Sequence, residues 1–202
     1  MAKQANILSQ VQEKMVLGHL RDETKLYQKN IVAFLLSTRG MLRAKEIALL
    51  EWNHLLVKDG EEWVVGSDIR LPDSICKGTS GRTIPINSGL KTALVELWNL
   101  RKEVVVNHSW KVIYTIHHNS TTPNSMVHWF RTLYKKLGLV GYSSHTGRRG
   151  GITKICRNLH RAENSSLRDV MAISGHKQLK TLQLYIVQNE EAHRPCTISL
   201  LE

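Results

Sequence analysis

The sequence predicts an α+β fold, a mainly helical domain with one small three-stranded antiparallel sheet. Three observations predict it. Apolar residues recur at helical spacing through the first fifty residues. From Leu55 to Ile86 the texture changes to short β-rich runs broken by Gly and Asp. From Ser88 the helical periodicity returns and holds to about Tyr185.

Each element has a local reason. Ile7, Leu8, Val11 and Met15 share one helical face, and Leu26, Ile31, Leu35 and Leu36 approximate another. Arg43 to Trp52 continues helical, with Ile47, Leu49 and Leu50 turned inward. Leu55-Leu56-Val57, then Asp59-Gly60, then Trp63-Val64-Val65 read as strand, turn and strand. Ile69 to Ile75 and Thr83 to Ile86 flank Gly78-Thr79-Ser80-Gly81, which is hairpin-loop chemistry. Ser88 is placed to cap a helix running to about Glu103, with Leu90, Leu94, Leu97 and Trp98 on its buried side. Pro123 sits near the start of the next helix, which stops at Gly138. Further helices begin near His145, Ser166 and Thr181. No internal repeat, linker or domain boundary is visible. The last residues start polar (Gln188-Asn189-Glu190-Glu191) and end apolar (Ile198-Ser199-Leu200-Leu201).

Charge narrows the class of partner. Lys and Arg number 28 against 17 acids, a formal net charge of +11. That excess favours polyanions, nucleic acid first and acidic lipid second. Between Glu103 and Glu163 there is no acidic residue, while Lys111, Arg131, Lys135, Lys136, Arg148, Arg149, Lys154, Arg157 and Arg161 fall there. A merely soluble surface mixes signs, so this stretch reads as a face that meets phosphates. Cys76, Cys156 and Cys196 are widely spaced with no Cys-x-x-Cys, which points to reduced cysteines in a cytoplasmic protein. The start lacks a signal-peptide core, and apolar runs such as Ile31 to Leu36 are too short to span a bilayer. No His-x-x-x-His pair stands near an acid and no Walker-type loop is present, so neither a metal nor a nucleotide cofactor is expected.

Four short stretches carry the chemistry: Gly40-Met41-Leu42-Arg43 with Glu46; Lys77; His145-Thr146-Gly147-Arg148; and Gly175-His176 with Tyr185 nine residues on. A pentacoordinate phosphate needs such cationic donors, and a phenol with a pKa of about 10 needs a base or a cationic field to attack it. Arginine suits the phosphate because it stays charged and donates two parallel hydrogen bonds. A helical turn puts His145 and Arg148 on one face, and a histidine there is suited to accept the phenol's proton. Arg43 also has a plain reading as a helix-surface ion pair with Glu46 at i+3, compatible with the first. Arg149 points elsewhere than Arg148, as a DNA-backbone contact or a surface charge.

The ordered set resembles the catalytic domain of the tyrosine recombinase (phage integrase) family, from near residue 5 to the end. The resemblance implies site-specific DNA strand exchange on a mobile element of bacterial or phage origin, through a 3′-phosphotyrosyl intermediate. Tyr185 would be the nucleophile, Arg43 and Arg148 would flank the phosphate, and His145 would take the phenol proton. His176 would bond a non-bridging oxygen, Lys77 would protonate the departing 5′-oxygen, and Glu46 would orient Arg43. Arg82, Arg131, Lys135, Lys136, Arg149, Lys154 and Arg157 are the candidate DNA contacts. The implied partners are double-stranded DNA, a homo-tetramer on synapsed sites with a monomer when free, and accessory DNA-bending proteins. The segment 186–202 is expected to dock on a neighbouring protomer. Most members carry a helical domain ahead of the catalytic one. The sequence is expected to hold the catalytic domain without it, as a natural minimal recombinase or as part of a larger protein. Two other classes stay open: a type IB topoisomerase-like enzyme, and a non-catalytic DNA-binding relic or regulator. One departure is that Gly150-Gly151 follows the His-x-x-Arg, where glycine weakens a helix; close packing on DNA or on a neighbour would account for it.

Overall fold

The computed structural model describes residues 5–22, 27–105, 107–115, 118–161 and 165–186. Helices α1 (Gln10–Asp22), α2 (Tyr27–Thr38) and α3 (Ala44–Leu49) come first. Strands β1 (Leu56–Asp59), β2 (Glu62–Val65), β3 (Asp68–Leu71) and β4 (Arg82–Pro85) follow. The chain then forms α4 (Ser88–Arg101), α5 (Pro123–Lys136), α6 (Thr146–Asn158), α7 (Leu167–Ser174) and α8 (Leu179–Ile186). The α+β reading stands.

The core is built around α2, whose residues from Ile31 to Ser37 are all buried. A helix apolar on every side must be surrounded, and α1, α4 and α6 pack on it. α3 packs on α5, and α8 on α6. Trp52 and Trp98 meet with ring centroids 4.9 Å apart, and Trp98 Nε1 donates to Trp63 O at 2.8 Å.

The sheet departs from expectation. Instead of three strands in one sheet, the described residues form two antiparallel pairs, β1 with β2 and β3 with β4. Gly66 and Ser67 separate them: Gly66 N turns to Leu55 O (2.7 Å), while Ser67 O takes Ile86 N (2.8 Å). The predicted strand Ile69–Ile75 ends at Leu71, because Pro72 has no N–H for a ladder. A 3₁₀ turn over Asp73–Ile75 follows, and Asp73 Oδ1 accepts from Gly81 N at 2.6 Å. Lys77 therefore sits in a loop and not on a strand. Helix ends shift as well. The cap of α4 is Asn87, whose side chain accepts from Leu90 N at 3.0 Å, one residue before the expected Ser88. α3 stops at Leu49, and a 3₁₀ turn at Trp52–His54 replaces its expected last turn. Pro123 follows the cap Thr122, and Gly138 ends α5 with φ 68°, as expected.

Gly150-Gly151 does not interrupt α6, which runs unbroken from Thr146 to Asn158. The glycines serve packing inside this chain. A Cβ on Gly151 would lie 2.6 Å from Thr38 O and 2.8 Å from Met41 Cγ, and one on Gly147 would lie 2.4 Å from Ser37 Oγ. α6 thus approaches α2 closer than any side chain permits. Cys76 and Cys156 are free thiols; Cys196 lies outside the described residues. We expect Gly151→Ala to destabilise the fold by about 1–3 kcal/mol, since overpacking must push the helices apart. Urea unfolding measures it, and an unchanged midpoint would show that glycine does not set this helix spacing.

Candidate active site

Arg43 is set by an unusual backbone. Met41 is buried and adopts φ 55°, a left-handed conformation uncommon for a side chain of this size. The reversal ends α2, turns the chain into α3 and puts Arg43 in extended conformation at its N-cap. There Arg43 N donates to Glu46 Oε2 (2.8 Å) and Arg43 Nη1 to Glu46 Oε1 (2.7 Å).

Arg148 is anchored from two sides. It lies in the first turn of α6 and is 4% exposed. Nη1 donates to Met41 O and Nη2 to Ser174 O, both at 2.5 Å. The strained Met41 therefore aims its carbonyl at Arg148 while the turn it makes sets Arg43. Two carbonyls do not neutralise a guanidinium and leave donors over for an anion. Burial, and next the charge of Arg43, pulls the Arg148 pKa down to about 10, so it remains cationic at neutral pH.

His145 is the N-cap residue of α6, so the His-x-x-Arg spacing straddles the helix start. Its imidazole pKa is lowered, first by partial desolvation and then by Arg148 and Arg43. α7 ends at Gly175, φ 67°, where the left-handed turn presents His176. The fully buried Ser174 Oγ donates to Val170 O at 2.5 Å, and His176 Nδ1 lies 2.8 Å from that oxygen. A hydroxyl has one proton, so Ser174 accepts from Nδ1–H and leaves Nε2 bare on the neutral ring. Desolvation, then Arg148, Arg43 and Arg82, holds the His176 pKa down to about 4. The Tyr185 ring on α8 is partly buried, with its centroid 5.4 Å from that of His176. It also lies near enough to Arg148 to act on that guanidinium electrostatically.

Arg43, Glu46, His145, Arg148, His176 and Tyr185 thus converge. Lys77 does not join them: it is exposed in the β3–β4 loop, and its ammonium has no hydrogen-bond partner among the described residues. That loop is tied down by Lys45 Nζ to Cys76 O (3.0 Å) and by Lys177 Nζ to Thr79 Oγ1.

The expected DNA contacts divide. Arg131, Lys135 and Lys136 are exposed on α5, and Lys154 and Arg157 on α6. Arg149 is half-buried and its Nη1 holds Ala5 O, so it fastens the N-terminal segment. Lys111 pairs with Glu51 at 2.6 Å and leaves the basic face. Arg82 is the clear correction. Its side chain is 5% exposed, forks onto both oxygens of Glu46 (3.0 and 2.9 Å) and donates to Ile173 O (2.9 Å), so no outward contact with DNA is open to it. Sequence reading did not single out Ser174, quoted Met41 only as part of the Gly40–Arg43 stretch, and named Arg82 only as a DNA contact.

The resulting balance is lopsided. Arg43, Arg82 and Arg148 gather around one carboxylate, Glu46, whose pKa falls to about 2; burial alone would raise it, and Arg82 first and then Arg43 overcome that. Among the described residues no group of three or more His, Cys, Asp or Glu side chains gathers as a metal site. No described helix is long and apolar enough to cross a membrane. An apolar groove of about 1080 Å³ adjoins this cluster at Met41 and Ile173 and is lined further by residues such as Ile31, Leu35, Ala93 and Ile155.

The model of the phage integrase family matches residues 4–192, and the chain belongs to that family. No curated protein matches it in sequence. Its fold is similar to that of XerA recombinase, with a TM-score of 0.70 at 20% identity over 98% of this chain and 65% of that one. The Tn1549 transposon integrase in complex with a circular intermediate DNA gives 0.67 at 17% identity, over 100% of this chain and 67% of that one. XerH site-specific recombinase bound to a palindromic difH substrate gives 0.68 at 16%, over 99% and 54%. The chain therefore spans about two thirds or less of these proteins' length.

The histidine environments set a pH dependence. A group whose folded pKa lies below its unfolded one leaves the unfolded chain holding more protons, so acid destabilises the fold. For His176 that stability is complete above about 6.5 and is lost as pH falls towards 4; for Glu46 the loss runs from about 4.5 to 2. Denaturant midpoints should therefore fall between pH 7 and 4, and fall less in His176→Gln. A flat profile would mean that the imidazole is not held neutral.

Proposed function

We propose that this chain cleaves and rejoins DNA at specific sites through a 3′-phosphotyrosyl intermediate. The observation that carries the proposal is the charge balance: three guanidiniums and two neutral imidazoles gather with a single carboxylate among them, and Tyr185 stands beside His176 and Arg148. Such a site calls for an anion, and family membership supports a phosphodiester as that anion.

In the first step Tyr185 Oη attacks phosphorus, and its proton passes to His145, whose lowered pKa keeps it neutral and able to accept. Arg43 and Arg148 stabilise the added negative charge on the non-bridging oxygens. The bond to the 5′-oxygen breaks, and Lys77 supplies the proton that makes the 5′-hydroxyl. Since Lys77 stands in a loop outside the cluster, that loop must close on the duplex. Attack by the 5′-hydroxyl of a partner strand on the phosphotyrosine reverses each transfer and frees Tyr185. The bond energy stays in the covalent link, so no nucleotide is consumed. His176, with Nδ1–H committed to Ser174, can donate to a phosphate oxygen through Nε2 only as the imidazolium. A bound phosphate would supply the charge to raise its pKa.

The reading extends to partners. Arg131, Lys135, Lys136, Lys154 and Arg157 supply exposed charge for the duplex backbone. Exchange between two sites requires four protomers on synapsed DNA, with a monomer when free and DNA-bending proteins as accessories. We place the work in the cytoplasm, at the nucleoid. The tail segment 187–202 lies outside the described residues; docking on a neighbour's apolar groove would fit its Ile198, Leu200 and Leu201.

Detergent-resistant capture on fragmented DNA of the source should give adducts with the native chain, none with Tyr185→Phe, and about 10²–10³-fold fewer per unit time with Arg148→Lys. Binding should weaken steeply with salt in all three. Adducts that persist in Tyr185→Phe would remove the assigned nucleophile. Supercoil relaxation without joining of partner duplexes would favour the topoisomerase-like class, and salt-sensitive binding with no adducts the binding module.

A further inference from the structure

We infer that Arg82 is a positioning residue for strand cleavage, holding Glu46, and through Glu46 the guanidinium of Arg43, in register with the Gly175-His176 turn. The inference rests on the reaction proposed above.

The geometry is that of a buried keystone. Arg82 opens β4, and its side chain reaches α3 and the end of α7 together. Nη1 and Nη2 meet Glu46 Oε1 and Oε2 at 3.0 and 2.9 Å, the parallel fork that guanidinium and carboxylate favour. Each of those oxygens also serves Arg43, Oε1 taking Nη1 and Oε2 taking the backbone N–H. Nε donates to Ile173 O, and Nη1 lies 3.2 Å from Ser80 O in the Lys77 loop. A Cβ on Gly175 would stand 3.2 Å from Arg82 Cδ and Nη1, so the glycine of the Gly-His pair also makes room for this arginine. Three catalytic elements, the Arg43 cap, the Lys77 loop and the His176 turn, therefore share one side chain that never touches the substrate.

The physical consequence concerns Glu46. Fully buried, it would favour the neutral acid, and Arg82 is the foremost influence opposing that. Arg43 on its own helix and the Cys76 thiol also face it, and Arg148 on α6 is near enough to feel its charge. Without Arg82 each carboxylate oxygen loses a donor, protonation becomes favourable, and a neutral Glu46 no longer fixes Arg43 against the phosphate.

The test uses the full chain with Arg82→Gln, Arg82→Lys and, as a control at the exposed Lys14 of α1, Lys14→Gln. Capture on fragmented source DNA at saturating concentration should slow by about 10²-fold in Arg82→Gln. Its rate should fall more steeply on the acid side than the native rate does. Arg82→Lys should recover the native profile but not the full rate. Affinity for a random 40-bp duplex and its salt slope should stay native. A slope smaller by about one, with an unchanged rate at saturation, would make Arg82 a phosphate contact and overturn the inference. Rates reduced with a native pH profile and lowered thermal stability would leave only a structural part and also overturn it. An arm without DNA decides independently: in ¹⁵N NMR the Arg43 side-chain signal should lose its ordered position in Arg82→Gln and keep it in Lys14→Gln. An unmoved Arg43 signal would refute the inference. Failure of the native chain to form adducts would sink the proposed reaction instead.

Discussion

A fully buried carboxylate gripped by two guanidiniums is the constraint on which the site depends. Glu46 is 0% exposed, and Arg43 and Arg82 both reach it. Removing one partner from such a group leaves an uncompensated buried charge, which typically costs about 3–5 kcal/mol. The fold therefore closes only with α3, β4 and the end of α7 in their observed places, because Arg82 on β4 bonds to the other two at once. The placing of Arg43 and the folding of the chain are coupled through that carboxylate. Its single negative charge also falls short of the arginines around it, and the shortfall is what an incoming phosphate would make up.

The second arginine is held by different means. Arg148 has carbonyls as partners, Met41 O from the α2–α3 turn and Ser174 O from the end of α7. Those carbonyls reach it because α6 lies hard against α2, an approach that Gly147 and Gly151 make possible. Ser174 serves twice, its carbonyl anchoring Arg148 and its hydroxyl fixing the His176 tautomer. Burial then keeps both histidines neutral, and a neutral imidazole is what a phenol needs as its acceptor. In the proposed reaction, the desolvation that would strengthen the arginines' field on a phosphate would also keep the imidazole ready to accept a proton.

What the sequence disclosed follows from the range of the contacts. Arg43 with Glu46, His145 with Arg148, and Gly175-His176 before Tyr185 are local spacings on or beside helices, so a linear reading found them. Arg82 meets Glu46 across 36 positions and Arg148 meets Met41 across 107, and no local pattern encodes either pairing. An arginine five positions after a loop lysine reads as a DNA contact until the fold buries its side chain. Gly150-Gly151 was visible, yet propensity alone read it as a break in a helix. Packing against α2 outweighs propensity there, and α6 runs on. The strand count went astray at Gly66 and Pro72, where one lost ladder position divides a run that hydrophobicity alone would join.

The most direct measurement is anion binding to the free chain. Orthovanadate, a mimic of pentacoordinate phosphate, can be titrated while the histidine imidazoles are followed by ¹⁵N NMR. A pocket with guanidiniums in excess and neutral imidazoles predicts saturable shifts of His145 and His176 towards the protonated form. Those shifts should vanish in Arg148→Lys and survive in a variant lacking the exposed Arg131 and Lys135. Shifts that never saturate, or that depend on the α5 charges and not on Arg148, would contradict a preformed phosphate site.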